Sequence, residues 1–281
     1  MRSLHILRLL ILLLLAPALL PLSGSTVAAP REDTDFAAAE ALYNAGEFEA
    51  ALAAARALDT PDGFAMASRA GLVLMRYFMP PAERPAAIEA ALADARRALD
   101  ADPEHLEGNL EAAISIGYRG KLTRSMGDAW AGKKYIDTAL LHHPDSAWAE
   151  AVLGGWNGEV VMEAGRFFAG MLFGARRKRA VQHFRAGLAI EPENIAIRTG
   201  FAITLLRFNR SRFEKEAIEL LSGTIALDAE YTAENAAENT RENALDEILV
   251  NQSRELLGAL QEGRREDLRA LLQRLTTFAD R

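Results

Sequence analysis

Hydrophobic and polar positions recur along most of the chain with the spacing of a helix rather than that of a strand. In one stretch after another, apolar side chains fall at i, i+3, i+4 and i+7, with alanine filling many positions between them. Proline is scarce, and runs of β-branched residues are short. This pattern predicts an all-α fold, because alanine and leucine favour helices and β-branched residues favour strands.

Five of these stretches align with one another, which indicates an internal repeat. In each stretch a small residue is followed directly by an apolar one, and a helix terminator, usually proline, comes a few positions later. The small–apolar pairs are Ala57-Leu58, Ala98-Leu99, Ala139-Leu140, Gly187-Leu188 and Thr224-Ile225. Another amphipathic helix is predicted between successive stretches. We therefore expect about five helix pairs, in which the small residues let neighbouring helices approach closely.

Two of these units carry the motifs of a known family. The stretch "AVQHFRAGLAIEP", Ala180 to Pro192, resembles the second helix of a tetratricopeptide repeat. The stretch "WAEAVLGGWN", Trp148 to Asn157, resembles the first helix, with the family's Leu-Gly pair at Leu153 and Gly154. The resemblance covers about residues 36–229. It implies a right-handed solenoid of about five helix pairs that binds partners along its concave face.

A weaker resemblance lies within residues 153–174. This stretch is similar to the regulator of microtubule dynamics proteins, which are tetratricopeptide-like. The matching residues are Leu153, Gly154, Trp156, Leu172, Phe173 and Gly174. This similarity implies a shared architecture for one long helix pair and does not imply binding to microtubules.

The first 28 residues are predicted to form a secretory signal peptide. Arg2 and Arg8 precede an apolar run, and small residues around Ala28 form a cleavage site. The run is too short for a comfortable membrane span, although an uncleaved N-terminal anchor is the alternative. Together with the repeats, this segment indicates an exported tetratricopeptide protein of bacterial type. We expect the mature protein to be periplasmic or secreted.

After the repeat domain, which we assign to residues 29–229, the pattern becomes less regular. Residues 230–281 contain two amphipathic stretches separated by Gly263. Stacked repeats need a terminal unit with a polar outer face. We therefore predict that residues 230–281 form a helical hairpin that caps the stack.

Charge and composition exclude several kinds of chemistry. The net charge of −7 argues against a nucleic-acid partner, and the absence of cysteine excludes disulfides and thiolate metal sites. His142 and His143 are adjacent on a predicted helix, so their rings diverge and do not suit one metal ion. No phosphate loop or nucleophile elbow is present. We expect no catalytic residue, no metal and no cofactor.

The family's repeat register implies a concave groove that is mostly apolar, with glycines at its centre. Residues of this groove and of the insertion that follows it are the candidate partner-binding residues. They are Leu110, Ile114, Trp148, Gly155, Trp156, Glu159, Phe167, Phe168, Ile203 and Arg207.

The insertion, residues 155–179, is the least regular part of the repeat domain. On a helix, its residues Phe167, Phe168, Met171, Leu172 and Ala175 share one face, and Phe173 points the other way. Side chains of this size favour burial. We expect the insertion to fold back into the groove as a plug, and the alternatives are a bound partner or a lipid surface.

Four basic residues follow directly: Arg176, Arg177, Lys178 and Arg179. They either begin a solvated helix or contact an anionic surface such as a membrane. The whole pattern favours a non-catalytic scaffold or adaptor that binds an unidentified envelope protein or peptide. The alternative is a periplasmic ligand-binding or transport-accessory protein that holds a small apolar molecule in the groove.

Overall fold

A computed structural model describes residues 31–234 and 243–277. These residues form eleven α-helices and no β-strand, which confirms the predicted all-α class. The helices are α1 Arg31–Asn44, α2 Phe48–Ala57, α3 Pro61–Tyr77, α4 Arg84–Ala101, α5 Leu106–Thr123, α6 Met126–His142, α7 Ala147–Phe173, α8 Arg177–Ile190, α9 Ile195–Glu234, α10 Ala244–Gln261 and α11 Arg265–Thr276. The predicted signal peptide, residues 1–28, lies outside the described residues.

Helices that follow one another in the chain pack together in pairs. α1 contacts α2, α3 contacts α4, α5 contacts α6, and α7 contacts α8. The first helices of successive pairs also touch, because α3 contacts α5, α5 contacts α7, and α7 contacts α9. The fifth predicted pair is the two halves of α9, which leaves helical geometry at Asn209. There the Asn209 side chain accepts a hydrogen bond from the Arg212 N–H and caps the second half.

The helix boundaries follow from local sequence signals. Thr60 caps α3, because its hydroxyl accepts a hydrogen bond from the Gly63 N–H, and Pro61 occupies the first turn. Ser146 caps α7 in the same way through the Ala149 N–H. The terminating prolines predicted from the repeat pattern therefore lie where one helix ends and the next begins.

The small residues do allow close helix packing between α7 and α8. A Cβ atom added to Gly187 would lie 2.8 Å from the backbone oxygen of Ala147, so only glycine fits at this contact. Beside it, the rings of Phe184 and Phe201 are stacked with centroids 5.1 Å apart. This contact belongs to the largest apolar cluster, which joins α7, α8, α9, α10 and α11.

The two amphipathic stretches near the C-terminus form α10 and α11, with Gly263 in a left-handed conformation between them. Leu256 and Leu260 are buried against α9. At the other end of α10, Ala244 and Leu245 pack against the apolar cluster of α1, α2 and α3. The hairpin therefore does more than cover the last helix pair, since it joins the last pair to the first.

Candidate functional site

The predicted groove residues of α5 do not line an open groove. Leu110 is fully buried, packed with Ala139 of α6 and Ala149 of α7. Ile114 is half-buried against Leu72 and Met75 of α3. Alanine at the contact positions lets the neighbouring helices close over both side chains.

The predicted groove residues of α7 and α9 also lie within helix contacts. Trp148 and Ile203 are half-buried and pack against the large cluster of α7, α8 and α9. Gly155 is half-buried, and a Cβ atom added there would be 4.0 Å from the ring of Phe184. These three residues hold helices together.

The C-terminal hairpin covers the faces of α3 and α9 that the groove would have used. The hydroxyls of Thr199 and Ser253 are 3.1 Å apart, which joins α9 to α10. The side chains of Tyr77 and Gln252 are hydrogen-bonded across α3 and α10. Arg76 donates a hydrogen bond to the backbone oxygen of Leu275. The hairpin thus occupies the surface on which the small-ligand alternative depends.

A charged cluster, which we call the charge clamp, is formed by Lys121 of α5, Glu159 of α7 and Arg207 of α9. The Lys121 Nζ is 3.0 Å from one oxygen of Glu159, and Arg207 donates to both oxygens. Burial would raise the pKa of Glu159, but Lys121 and Arg207 outweigh it and lower that pKa to about 2. Glu159 therefore stays ionised and links three first helices.

A second ion pair joins α3 to α5. Arg69 donates to Glu111 at 3.2 Å and also pairs with Glu107. Burial raises the pKa of Glu111 to about 7, although Arg69 opposes this shift. Paired charges as well as apolar side chains therefore connect the first helices. Glu159 and Arg207 were predicted site residues, whereas Lys121 and Arg69 were missed because the register was read for apolar side chains.

The insertion does not fold back into the groove as predicted. α7 bends at Gly165, whose φ of 74° is favoured only by glycine, and the helix then continues to Phe173. Beyond the bend, Phe167, Phe168, Met171 and Leu172 have exposed fractions of 73%, 54%, 60% and 37%. We call these four side chains the apolar elbow. The plug prediction is wrong, because a plug would bury these four side chains and they are exposed.

The other face of the same segment is buried. Ala169 and Phe173, one turn apart, pack against Val160 and Val161 of the preceding part of α7. Ala175 joins them, because the helix ends before it and it does not share the face of Phe167. Phe173 was correctly predicted to point away from the elbow residues.

Two tryptophans flank the buried face. The ring of Phe173 is 6.3 Å from that of Trp156, whose Nε1–H donates to the backbone oxygen of Ala129. The Phe173 ring is also 5.2 Å from Trp130 of α6, which is half exposed. Met126, one turn before Trp130, is exposed as well. Sequence reasoning missed Trp130 and Met126, although their i, i+4 spacing marks one face of α6.

The four basic residues after the elbow divide into two kinds. Arg177 turns inward, with its guanidinium 5.2 Å from the centre of the Phe208 ring. Arg179 donates to the backbone oxygen of Gly174, at the C-terminal end of α7. Arg176, Lys178 and Arg179 are exposed, and so is Arg166 just before the elbow. The structure therefore places four exposed cations at the two ends of the elbow, and they are not the four consecutive ones predicted.

No protein-family model matches this chain, and no curated protein matches its sequence. Within residues 31–234 and 243–277, no three acidic or histidine side chains are arranged to hold a metal ion. His142 and His143 both contact Glu104, the first through its carboxylate and the second through its backbone oxygen. Among the helices of these same residues, none has the length and apolar content that crossing a bilayer requires.

Proposed function

We propose that this chain is an exported, non-catalytic adaptor of the tetratricopeptide type, held to another component of the cell envelope through the apolar elbow. In this proposal the helix pairs form a right-handed solenoid of about five units, and α10 and α11 complete it. The contacts between successive first helices, from α3 to α9, support this arrangement. The repeat motifs at Trp148–Asn157 and Ala180–Pro192 support the family.

One observation carries the proposal, which is the exposure of the elbow itself. Four large apolar side chains stand together on one short segment, while the apolar residues on its other face are buried. Burying a fully exposed side chain of this kind contributes roughly 1.5–3 kcal/mol, so covering the exposed part of the cluster favours association. Contiguous exposed apolar surface of this kind marks interaction sites on soluble proteins.

The charge clamp connects helices and is not suited to proton transfer. A general acid must give up a proton near the working pH. Glu159 is held ionised, with a pKa of about 2, by the two cations that pair with it. Arg69 and Arg207 are similarly engaged with carboxylates. These groups connect helices.

The test is retention on the envelope in cells that express the full chain with a C-terminal tag. We expect the wild-type protein to sediment with envelope fragments and to be crosslinked to a component there. The double variant Phe167→Asp, Phe168→Asp should remain in the supernatant. Leu141→Asp, which also places a charge at an exposed apolar position but on α6, is the matched control and should behave like the wild type.

Equal retention of the wild-type protein and the double variant would contradict the proposal. Because an uncleaved N-terminal anchor would also retain all three chains equally, the mass of the retained protein is measured first to show that residues 1–28 have been removed. Mass spectrometry of the crosslinked material then shows whether the component is a protein, as the family resemblance implies.

A further inference from the structure

We infer that the apolar elbow docks on the surface of an anionic lipid bilayer, with its helical segment lying in the plane of the interface. This inference rests on the proposed function, since it names the envelope component that the elbow contacts. Three features of the elbow support it: its shape, the side chains beside it and the charge around it.

The elbow has the form of an interfacial helix. Its inner residues, Ala169 and Phe173, anchor it to the body of the protein. Its outer residues include two phenylalanine rings packed edge to face, with centroids 5.4 Å apart. Because the segment is held from within, it presents these rings as a preformed apolar ridge. A helix with one apolar face and basic neighbours is the usual means by which soluble proteins lie on membranes.

The side chains beside the ridge are of the kind that lies at the boundary between acyl chains and lipid headgroups. Trp130 is half exposed and contacts Phe173, so it stands next to the elbow on α6. Met126 extends this apolar surface by one turn. Tryptophan is enriched at the boundary between acyl chains and headgroups, where its ring is buried and its N–H stays hydrated.

The exposed cations around the elbow favour a negatively charged lipid surface as its partner. Arg166, Arg176 and Lys178 are exposed, and within the described residues none of them forms an ion pair. Other exposed arginines, such as Arg185 and Arg254, are paired with carboxylates. Unpaired cations at both ends of an apolar ridge complement a negatively charged surface, on a chain whose net charge is −7.

The experiment uses purified protein and protein-free vesicles. One set contains phosphatidylglycerol and phosphatidylcholine in equal parts, and the other contains phosphatidylcholine alone. We expect sedimentation with the anionic vesicles and at least tenfold weaker binding to the neutral ones, together with a blue shift of tryptophan fluorescence as Trp130 enters the interface. High salt should weaken the anionic binding.

Two variants separate the apolar and the ionic contributions. Phe167→Asp, Phe168→Asp should lower the affinity for anionic vesicles at least tenfold. Arg176→Gln, Lys178→Gln should lower it at least fivefold, because each near-surface cation contributes roughly fivefold to binding. Leu141→Asp should bind as the wild type does, and unchanged melting temperatures should show that every variant is folded.

Several outcomes overturn the inference. Absence of binding to protein-free anionic vesicles would overturn the lipid inference. If retention on envelope fragments still depends on the elbow, the adaptor proposal stands, and the component that the elbow binds is a protein. Equal binding to both kinds of vesicle removes the role of the cations. If none of the elbow variants changes vesicle binding, another surface of the protein makes the contact with the lipid. Loss of elbow dependence in both assays removes the adaptor proposal as well.

Discussion

Two segments of α7, one on each side of Gly165, use their side chains in opposite ways. Before the bend, Glu159 is enclosed by Lys121 and Arg207, and Val160 and Val161 are buried. After it, the elbow is exposed while its inner face still packs on the first segment. The first segment therefore uses both charged and apolar side chains in contacts with its neighbours, whereas the second leaves one apolar face exposed. The difference teaches that the first segment connects helices, whereas the second is free to contact something else.

The largest contrast between interior and elbow should come from shortening one leucine in each. Leu256 of α10 is fully buried, whereas Leu172 belongs to the elbow. Leu256→Ala should lower the free energy of unfolding by about 2–5 kcal/mol, because it leaves a cavity. Leu172→Ala should lower it by less than about 1 kcal/mol. Urea denaturation measures both, and similar losses would show that the elbow is packed like a core.

The charge clamp should respond strongly to loss of its central carboxylate. Glu159→Gln leaves Lys121 and Arg207 facing each other without a counter-charge. We expect the free energy of unfolding to fall by about 2–3 kcal/mol, less than for a fully buried pair because the cluster is partly solvated. The matched control is Glu163→Gln, one turn later and exposed, which should change stability by less than about 0.5 kcal/mol. A similar loss in both variants would assign the effect to helix charge rather than to the clamp.

Acidification should remove the stabilising effect of Glu159. Its folded pKa, about 2, lies below the ordinary value of 4.5, so its contribution is complete above about pH 4.5 and is lost as the pH falls through 2. Glu111 has a raised pKa, about 7, and acts with the opposite sign between pH 4.5 and 7. The informative quantity is therefore the difference in unfolding free energy between the wild type and Glu159→Gln, measured in urea at several pH values. This difference should shrink on acidification, and a constant difference would contradict the assignment.

Two glycines allow a closely packed helix contact to be compared with an open one. Gly187→Ala places a methyl group against the backbone of Ala147 and should cost about 1–3 kcal/mol. Gly170→Ala, in the elbow segment, meets no atom within 4 Å. Because alanine is the better helix former, Gly170→Ala should raise the free energy of unfolding by about 0.5–1 kcal/mol. Thermal denaturation shows whether each variant gains or loses stability. A loss for Gly170→Ala would show that this segment is constrained.

The smallest effect on stability should come from the elbow variant itself. Phe167→Asp, Phe168→Asp changes two exposed side chains, so the free energy of unfolding should change by no more than about 0.5 kcal/mol. Calorimetry of the purified protein tests this point. A large loss would mean that the two rings are part of the fold, and any loss of envelope or vesicle binding would then be secondary.

Much of the helical pattern was accessible from sequence, because it depends on local signals. The small–apolar pairs, Pro61 and Gly263 mark helix contacts and helix ends through backbone geometry, and the structure confirms these helices. Phe173 was assigned to the opposite side from Phe167 because a helix separates those positions. Within one helix, periodicity is enough to sort side chains by face.

The candidate site was harder to predict, because it depends on contacts between distant residues. The charge clamp joins residues 121, 159 and 207, and no local pattern relates them. The plug prediction failed at Gly165, since a single left-handed residue redirected the segment after it. It failed also because α10 and α11, which were predicted only as an end cap, already occupy the faces of α3 and α9. Which of two amphipathic segments covers a groove is decided by tertiary packing.

The attachment of α10 to the first helices changes how the molecule should fold. In an open stack of repeats each unit touches only its neighbours, so unfolding starts at either end and spreads. Here Arg76 and Leu275, 199 positions apart, are hydrogen-bonded, and Leu245 packs near Tyr43. With both ends tied together neither end frays alone, and the chain should unfold in one cooperative transition. Contacts over such sequence separations also raise the contact order, so folding should be slow for an all-helical protein.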